Sequence, residues 1–159
     1  TMVVTKEGDG YWANVACFFN VVDNGLLARR RVSMNGLKDF DKAEHMTVST
    51  EGSAIYYSVG NKFYSWAYGS GRTEANAVYE FPASEQITAL RVIYGGGFPS
   101  GGWAVWIATW DEQAKDGKVY EIFLDPISGD PGTVWGVFGH EDMRLVDNGF
   151  GKIIDMLVP

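Results

Sequence analysis

Residues 54–68 read Ala54-Ile55-Tyr56-Tyr57-Ser58-Val59-Gly60-Asn61-Lys62-Phe63-Tyr64-Ser65-Trp66-Ala67-Tyr68, and this stretch decides the fold. Two runs rich in aromatic and β-branched residues flank Gly60-Asn61-Lys62, the residue types of a tight hairpin turn. Successive side chains of a strand point to opposite faces. A two-residue loop at Gly60-Asn61 or at Asn61-Lys62 therefore puts Ile55, Tyr57 and Val59 on one side together with Tyr64, Trp66 and Tyr68. The register stays open between the two loops, whereas the apolar side is the same in both.

The pattern continues outward from there. Trp103 to Trp110 reads as a strand, Asp111 to Gly117 as a polar loop ending in Asp116-Gly117, and Lys118 to Leu124 as the returning strand. The length of that loop leaves the partner face of the second hairpin open. Further strands are expected at Tyr11–Phe19, Leu26–Ser33, Met46–Thr50, Ala75–Phe81, Ile87–Tyr94, Val134–Phe138 and Lys152–Leu157. Leu37, Phe40 and Ala43 share one helical stripe, so Leu37–Glu44 is expected to form a turn or two of helix, too short to stand without packing. The glycine-dominated stretch from Gly95 to Gly102 reads as a connection between successive units.

Composition agrees with many short strands joined by tight turns. The chain of 159 residues holds 20 glycines and 14% aromatics, with 46% hydrophobic and 21% charged residues. Aromatic side chains suit a pleated surface, and glycine supplies turn positions with φ > 0. The length fits one domain with a core of its own. The reading is a single all-β domain over residues 1–159, built of antiparallel hairpins.

A net charge of -7 argues against a polyanionic partner, because a nucleic-acid surface needs a basic stripe. Arg29-Arg30-Arg31 is the one basic cluster, and on a strand those side chains alternate faces. Cys17 is the only cysteine, which rules out an intrachain disulfide. It sits in the apolar run Val15-Ala16-Cys17-Phe18-Phe19, the setting of an inert core thiol. No apolar stretch approaches the ~18 residues of a membrane span. The chain opens Thr1-Met2-Val3-Val4 without a signal peptide, which fits a mature fragment or a remnant of something longer.

Repetition is visible at two offsets. Val78-Tyr79-Glu80-Phe81 is echoed by Val119-Tyr120-Glu121-Ile122, and Ile55-Tyr56-Tyr57-Ser58 more loosely by Val105-Trp106-Ile107-Ala108. Periods of roughly 40–50 residues with several strands each are the mark of propeller blades. Val59-Gly60-Asn61-Lys62-Phe63-Tyr64, Val78-Tyr79-Glu80-Phe81 and Ile87-Thr88-Ala89-Leu90 look like one blade. Ile107-Ala108-Thr109-Trp110, Asp116-Gly117-Lys118-Val119-Tyr120 and Gly151-Lys152-Ile153-Ile154-Asp155 look like the next.

Across residues 46–159 that order resembles the C-terminal part of the PKD-like family lipoproteins of Bacteroidetes. The resemblance implies an exported cell-envelope protein, with immunoglobulin-like modules followed by a propeller-like region, often encoded beside outer-membrane nutrient-uptake systems. It implies that this chain is the C-terminal part of a larger protein. The chain itself carries no export signal, lipid-anchor cysteine or immunoglobulin-like part, and the family supplies no catalytic residues to carry over. A chain of this length makes about three blades, whereas closed propellers use four to eight. The open edges must then be covered, pair with a second copy, or be resolved in a β-sandwich or a closed β-barrel.

Candidate chemistry is sparse. His140-Glu141-Asp142 is the densest polar cluster, but on an extended segment only His140 and Asp142 share a face, so a metal would need ligands from elsewhere. Asp125-Pro126-Ile127-Ser128-Gly129-Asp130-Pro131-Gly132 has acidic residues among turn formers, with prolines breaking the rhythm of a calcium loop. Gly95 to Gly102 lacks the Lys and the following helix of a phosphate loop. No Gly-x-Ser-x-Gly elbow occurs. Asp39, Asp41, Glu44, Asp111, Glu112 and Glu121 supply carboxylates without a recognisable hydrolytic frame. Nothing here calls for a cofactor or a metal.

An aromatic binding face is the sharper possibility. Trp106 and Trp110 share one side of their strand, and Trp66 stands on the aromatic side of the first hairpin. Such rings either fill the contact between sheets or stack on sugar rings and peptide side chains. The expected function is a non-catalytic binding or scaffolding domain recognising a glycan, a peptide or another envelope protein. The alternatives are a hydrolase with its site between blades, and a β-barrel carrier of an apolar ligand. Gly10-Tyr11-Trp12 offers that last reading a short Gly-x-Trp.

Overall fold

Three antiparallel sheets, each an up-and-down meander, account for the strands of the computed structural model. It describes residues 2–7, 10–16, 29–33, 37, 39–49, 54–67, 70, 72, 74–94, 103–125, 128–132 and 142–157. The first sheet joins β1 (Met2–Glu7), β2 (Gly10–Ala16) and β3 (Arg29–Ser33), for which the backbone pairing is described. Arg29, Arg30 and Arg31 pair with Ala16, Val15 and Asn14 along β2.

The second sheet runs β4 (His45–Val48), β5 (Ala54–Val59), β6 (Lys62–Ala67), β7 (Asn76–Glu80). The third runs β8 (Glu85–Tyr94), β9 (Trp103–Asp111), β10 (Asp116–Leu124), β11 (Arg144–Phe150). The protein is all-β and antiparallel. In none of the sheets does the last strand pair back with the first, so among the described residues no closed barrel forms. The second and third sheets are layered face to face, as in a sandwich or in stacked blades.

The hairpin at 54–67 takes the first of the two registers. Val59 pairs with Lys62, leaving Gly60-Asn61 as the turn, and Gly60 takes φ 59. A two-residue hairpin with glycine first needs that left-handed position, where a Cβ is disfavoured. Ile55 then faces Trp66 and Tyr57 faces Tyr64, the latter rings stacked at 5.0 Å with 10° between their planes.

The central strands β5 and β6 are buried on both faces, which is why they read as near-continuous apolar runs. Ile55, Tyr57, Tyr64 and Trp66 pack on Leu37, with Phe40, Ala43, Val48 and Ala75 at the margin. On the other face Ala54, Tyr56, Phe63 and Ala67 meet Ile87, Leu90, Val105, Ile107, Ile122 and Leu124 of the third sheet, together with Phe81. That contact is the main core. Truncating a ring such as Phe63, fully buried within it, is worth about 3–5 kcal/mol.

Sequence and structure part in five places. The helix expected at Leu37–Glu44 is a single 3-10 turn at Phe40–Lys42, entered through Asp39 in the left-handed region at φ 52. Lys152–Leu157, expected as a strand, is irregular, and the strand stands earlier, at β11. β1 was not anticipated either. Ile87-Thr88-Ala89-Leu90 belongs to β8 and opens the third sheet rather than closing the second. The stretch from Gly95 to Gly102 joins β8 to β9 within one sheet, not one unit to the next. Val134–Phe138 lies outside the described residues.

Of the two echoes, the one between Ile55–Ser58 and Val105–Ala108 joins the second strands of the two meanders. The other matches the fourth strand, β7, with the third, β10. Only the first is a structural correspondence.

Candidate functional site

Alternation along β9 sorts its side chains into two sets. Val105, Ile107 and Thr109 turn inward and are fully buried, while Ala104, Trp106, Ala108 and Trp110 occupy the outward face. The ladder fixes their neighbours. Trp106 stands between Arg91 of β8 and Glu121 of β10, and Glu121 in turn faces Arg144 of β11. Trp110 stands between Gln86 and Gly117. Ala108, between the two tryptophans, is fully buried, and both indoles are half-buried.

Each indole N–H is tied down. Trp106 Nε1 donates to Glu121 Oε2 at 2.7 Å, and Arg144 donates to Glu121 Oε1 at 2.7 Å. Trp110 Nε1 donates to Glu112 Oε2 at 2.7 Å, and Lys115 pairs with the other oxygen of Glu112. Lys115 first and Trp110 second hold the Glu112 carboxyl below the ordinary carboxylate range. Both rings are thus held by a carboxylate that is itself held by a cation. Arg91 completes the row, donating from Nε to the Met156 carbonyl at 2.6 Å and pairing with Asp155 at 3.2 Å.

Trp66 is placed elsewhere. It is 6% exposed in the smaller core of the second sheet, and its Nε1 donates to the Arg72 carbonyl at 3.2 Å. Trp106 and Trp110 come together on one face, and Trp66 lies on a different layer.

A second polar group lies inside the contact between the two sheets. Glu85 accepts hydrogen bonds from Lys118 at 2.7 Å, Thr109 at 3.0 Å and Tyr120 at 3.1 Å, and Lys118 also reaches Asp111 at 3.1 Å. The side chains of Lys118 and Glu85 are 17% and 5% exposed. The bond to Glu85 raises Lys118 above its ordinary value, so it remains an ammonium ion. Burial first, then the Glu85 charge, pushes Tyr120 up to about 12. Both groups therefore keep their protons at neutral pH. The cluster serves as a structural ion network.

The acidic loop after β10 is likewise occupied by its own fold. Asp125 Oδ1 accepts from the Ser128 N–H at 3.3 Å, and Asp130 takes both guanidinium nitrogens of Arg72 at 2.8 Å. Among the described residues no three His, Cys, Asp or Glu side chains gather as a metal site. Cys17, His140 and Glu141 lie outside the described residues. Sequence reasoning found both tryptophans but not Glu121, Glu112 or Arg144 as their supports. The pairing of Trp106 with Glu121 follows from the β9–β10 register, which needed the loop length that the sequence left open.

Comparison with protein-family models, with curated proteins and with solved structures finds no match. What the face can do therefore rests on its own chemistry. It offers two ring surfaces fixed in orientation, with carboxylate and guanidinium groups around them.

Proposed function

We propose that this chain is a non-catalytic binding domain that stacks a carbohydrate on Trp106 and Trp110. The observation that supports the reading is the paired restraint of the two indoles by Glu121 and Glu112. Rings held this way lose little freedom on binding, and preorganisation saves affinity that ordering would otherwise consume. Four residues along a strand separate the rings by roughly 13 Å, a span suited to a short run of sugar rings. Sugar hydroxyls would find partners among Arg91, Glu121 and Arg144.

The competing use of such a face is to receive another sheet, as the Tyr56 face of the second sheet does. Charge argues for the polar ligand. Tyr56 is flanked by Ser58, Ser65 and Ala54, whereas the Trp106 row carries Arg91, Glu121 and Arg144. A dry sheet laid across those ions would remove their water for little return.

Two wider elements belong to the same proposal. The two four-stranded meanders are successive propeller-like blades, as the correspondence of β5 with β9 suggests. The compartment is the bacterial cell envelope, and the role is recognition during nutrient uptake. Both of these last points rest on the family resemblance alone.

A glycan array probed at micromolar protein, followed by titration of the best oligosaccharide, tests the central claim. Trp110→Ala and Trp106→Ala should each weaken binding by about tenfold or more with the circular dichroism unchanged. Absence of any glycan ligand, or affinity indifferent to both substitutions, overturns the reading.

A further inference from the structure

Where the second and third sheets meet, the edge strand β4 lies beside the edge strand β8, and a cavity of about 260 Å³ opens between them. Its wall includes Glu44, His45 and Thr47 on one side, Arg91 on the other, and Asp155 of the C-terminal segment. That volume is room for roughly eight waters, below the ~300–1,000 Å³ of sites for drug-sized ligands. A molecule of amino-acid or dipeptide size fits it.

The wall carries both signs of charge and unused polar capacity. Arg91 commits its Nε to the Met156 carbonyl and one terminal nitrogen to Asp155, and among the described residues its other terminal nitrogen makes no hydrogen bond. Glu44 and His45 have no side-chain hydrogen bond or ion pair among the described residues. His45 stands directly across the ladder from Ser58, whose buried hydroxyl is also without a partner. Both flanking strands are sheet edges, with backbone N–H and C=O groups on their outer sides free of any ladder partner. An anion alone would bring its charge against Glu44 and Asp155. A cation alone would meet Arg91.

We propose that this cavity binds a small zwitterion, a free amino acid or dipeptide. Its carboxylate is taken by Arg91, and its ammonium group by Glu44 and Asp155. The guanidinium–carboxylate contact is charge-assisted and hence among the stronger hydrogen bonds. The site is separate from the carbohydrate face, although Arg91 stands at the margin of both.

Nuclear magnetic resonance titration of the whole chain with glycylglycine provides the test. The amide signals of Thr47 and Arg91 should move saturably, and acetate or ethylamine alone should bind about tenfold more weakly or worse. Glu44→Gln, at an exposed position whose side chain makes no hydrogen bond or ion pair among the described residues, should weaken glycylglycine by about tenfold. Arg91→Gln should do the same. If Arg91→Gln disturbs the C-terminal segment, the Glu44 variant still decides. The proposal fails if glycylglycine produces no saturable shift, if either half-ligand binds equally well, or if Glu44→Gln binds as tightly as the parent.

Discussion

Arg72 grips Asp130 with both terminal guanidinium nitrogens, each 2.8 Å from a carboxylate oxygen, across 58 residues of sequence. Asn76 adds a third bond to the same carboxylate at 2.6 Å. Arg72 precedes β7 and Asp130 follows β10, so this fork ties the second sheet to the third. Close by, a Cβ at Gly129 would stand 2.9 Å from Ser65 Oγ, and Gly129 takes φ 76. The loop therefore sits on the second sheet at a point where only glycine fits.

Asp130→Ala should loosen that junction modestly. The pair is bidentate, but its side chains are 39% and 44% exposed, so solvent screens it and the loss should be about 1 kcal/mol or less. Urea denaturation of the single variants and of the Arg72→Ala, Asp130→Ala double variant would give the coupling directly.

Lys118→Met should be far more damaging. It leaves Glu85, 5% exposed, charged and short of its cation. Removing one partner of a buried pair costs about 3–5 kcal/mol. Adding Glu85→Leu should restore much of the loss, because the uncompensated ion disappears. Thermal melts of the single and double variants check this.

Ser58→Ala should be neutral or stabilising. Ser58 is fully buried, and its hydroxyl has no hydrogen-bond partner among the described residues. Deleting a desolvated, unpaired hydroxyl removes a penalty, with an expected gain between nothing and about 1 kcal/mol. Denaturant midpoints of the variant and parent decide it.

Stability should fall at both ends of the pH scale. Backbone bonds from Ala114 first, and Lys118 after burial's opposing effect, lower Asp111; Arg72 chiefly lowers Asp130. In the unfolded chain these groups take up protons near 3.8, so their contribution is present above that pH and is lost as acid protonates the folded forms. Lys118 is raised from 10.5 by Glu85, and burial raises Tyr56 and Tyr57 from 10.0. The unfolded chain then gives up protons first in alkali, and stability declines above about pH 10. Denaturation free energies measured from pH 2 to 12 should show a plateau between these limits.

The hairpin at 54–67 was legible because period-two alternation and Gly60-Asn61 agree at a single place. β11 was not legible, since Asp147-Asn148-Gly149 has the residues of a turn. The structure uses them in a strand with register shifts against β10, with Gly149 at φ 84. A bulge and a turn both recruit a left-handed glycine, so the local sequence does not separate them. The tryptophan pair was readable from spacing alone. The buried Glu85–Lys118 network was not, because its members come from different strands and meet only once two registers are set.

The chain passes from the second sheet to the third through Phe81–Ser84 alone, a link as short as many hairpin loops. Asn61 Nδ2 fastens it by donating to the Phe81 carbonyl, and the Ile87 N–H reaches the Gly60 carbonyl at 3.1 Å. So short a tether keeps the two layers at millimolar effective concentration or above. Dilution cannot part them, and their assembly is a unimolecular event. A protease nick at this link would leave two fragments that must find each other by diffusion.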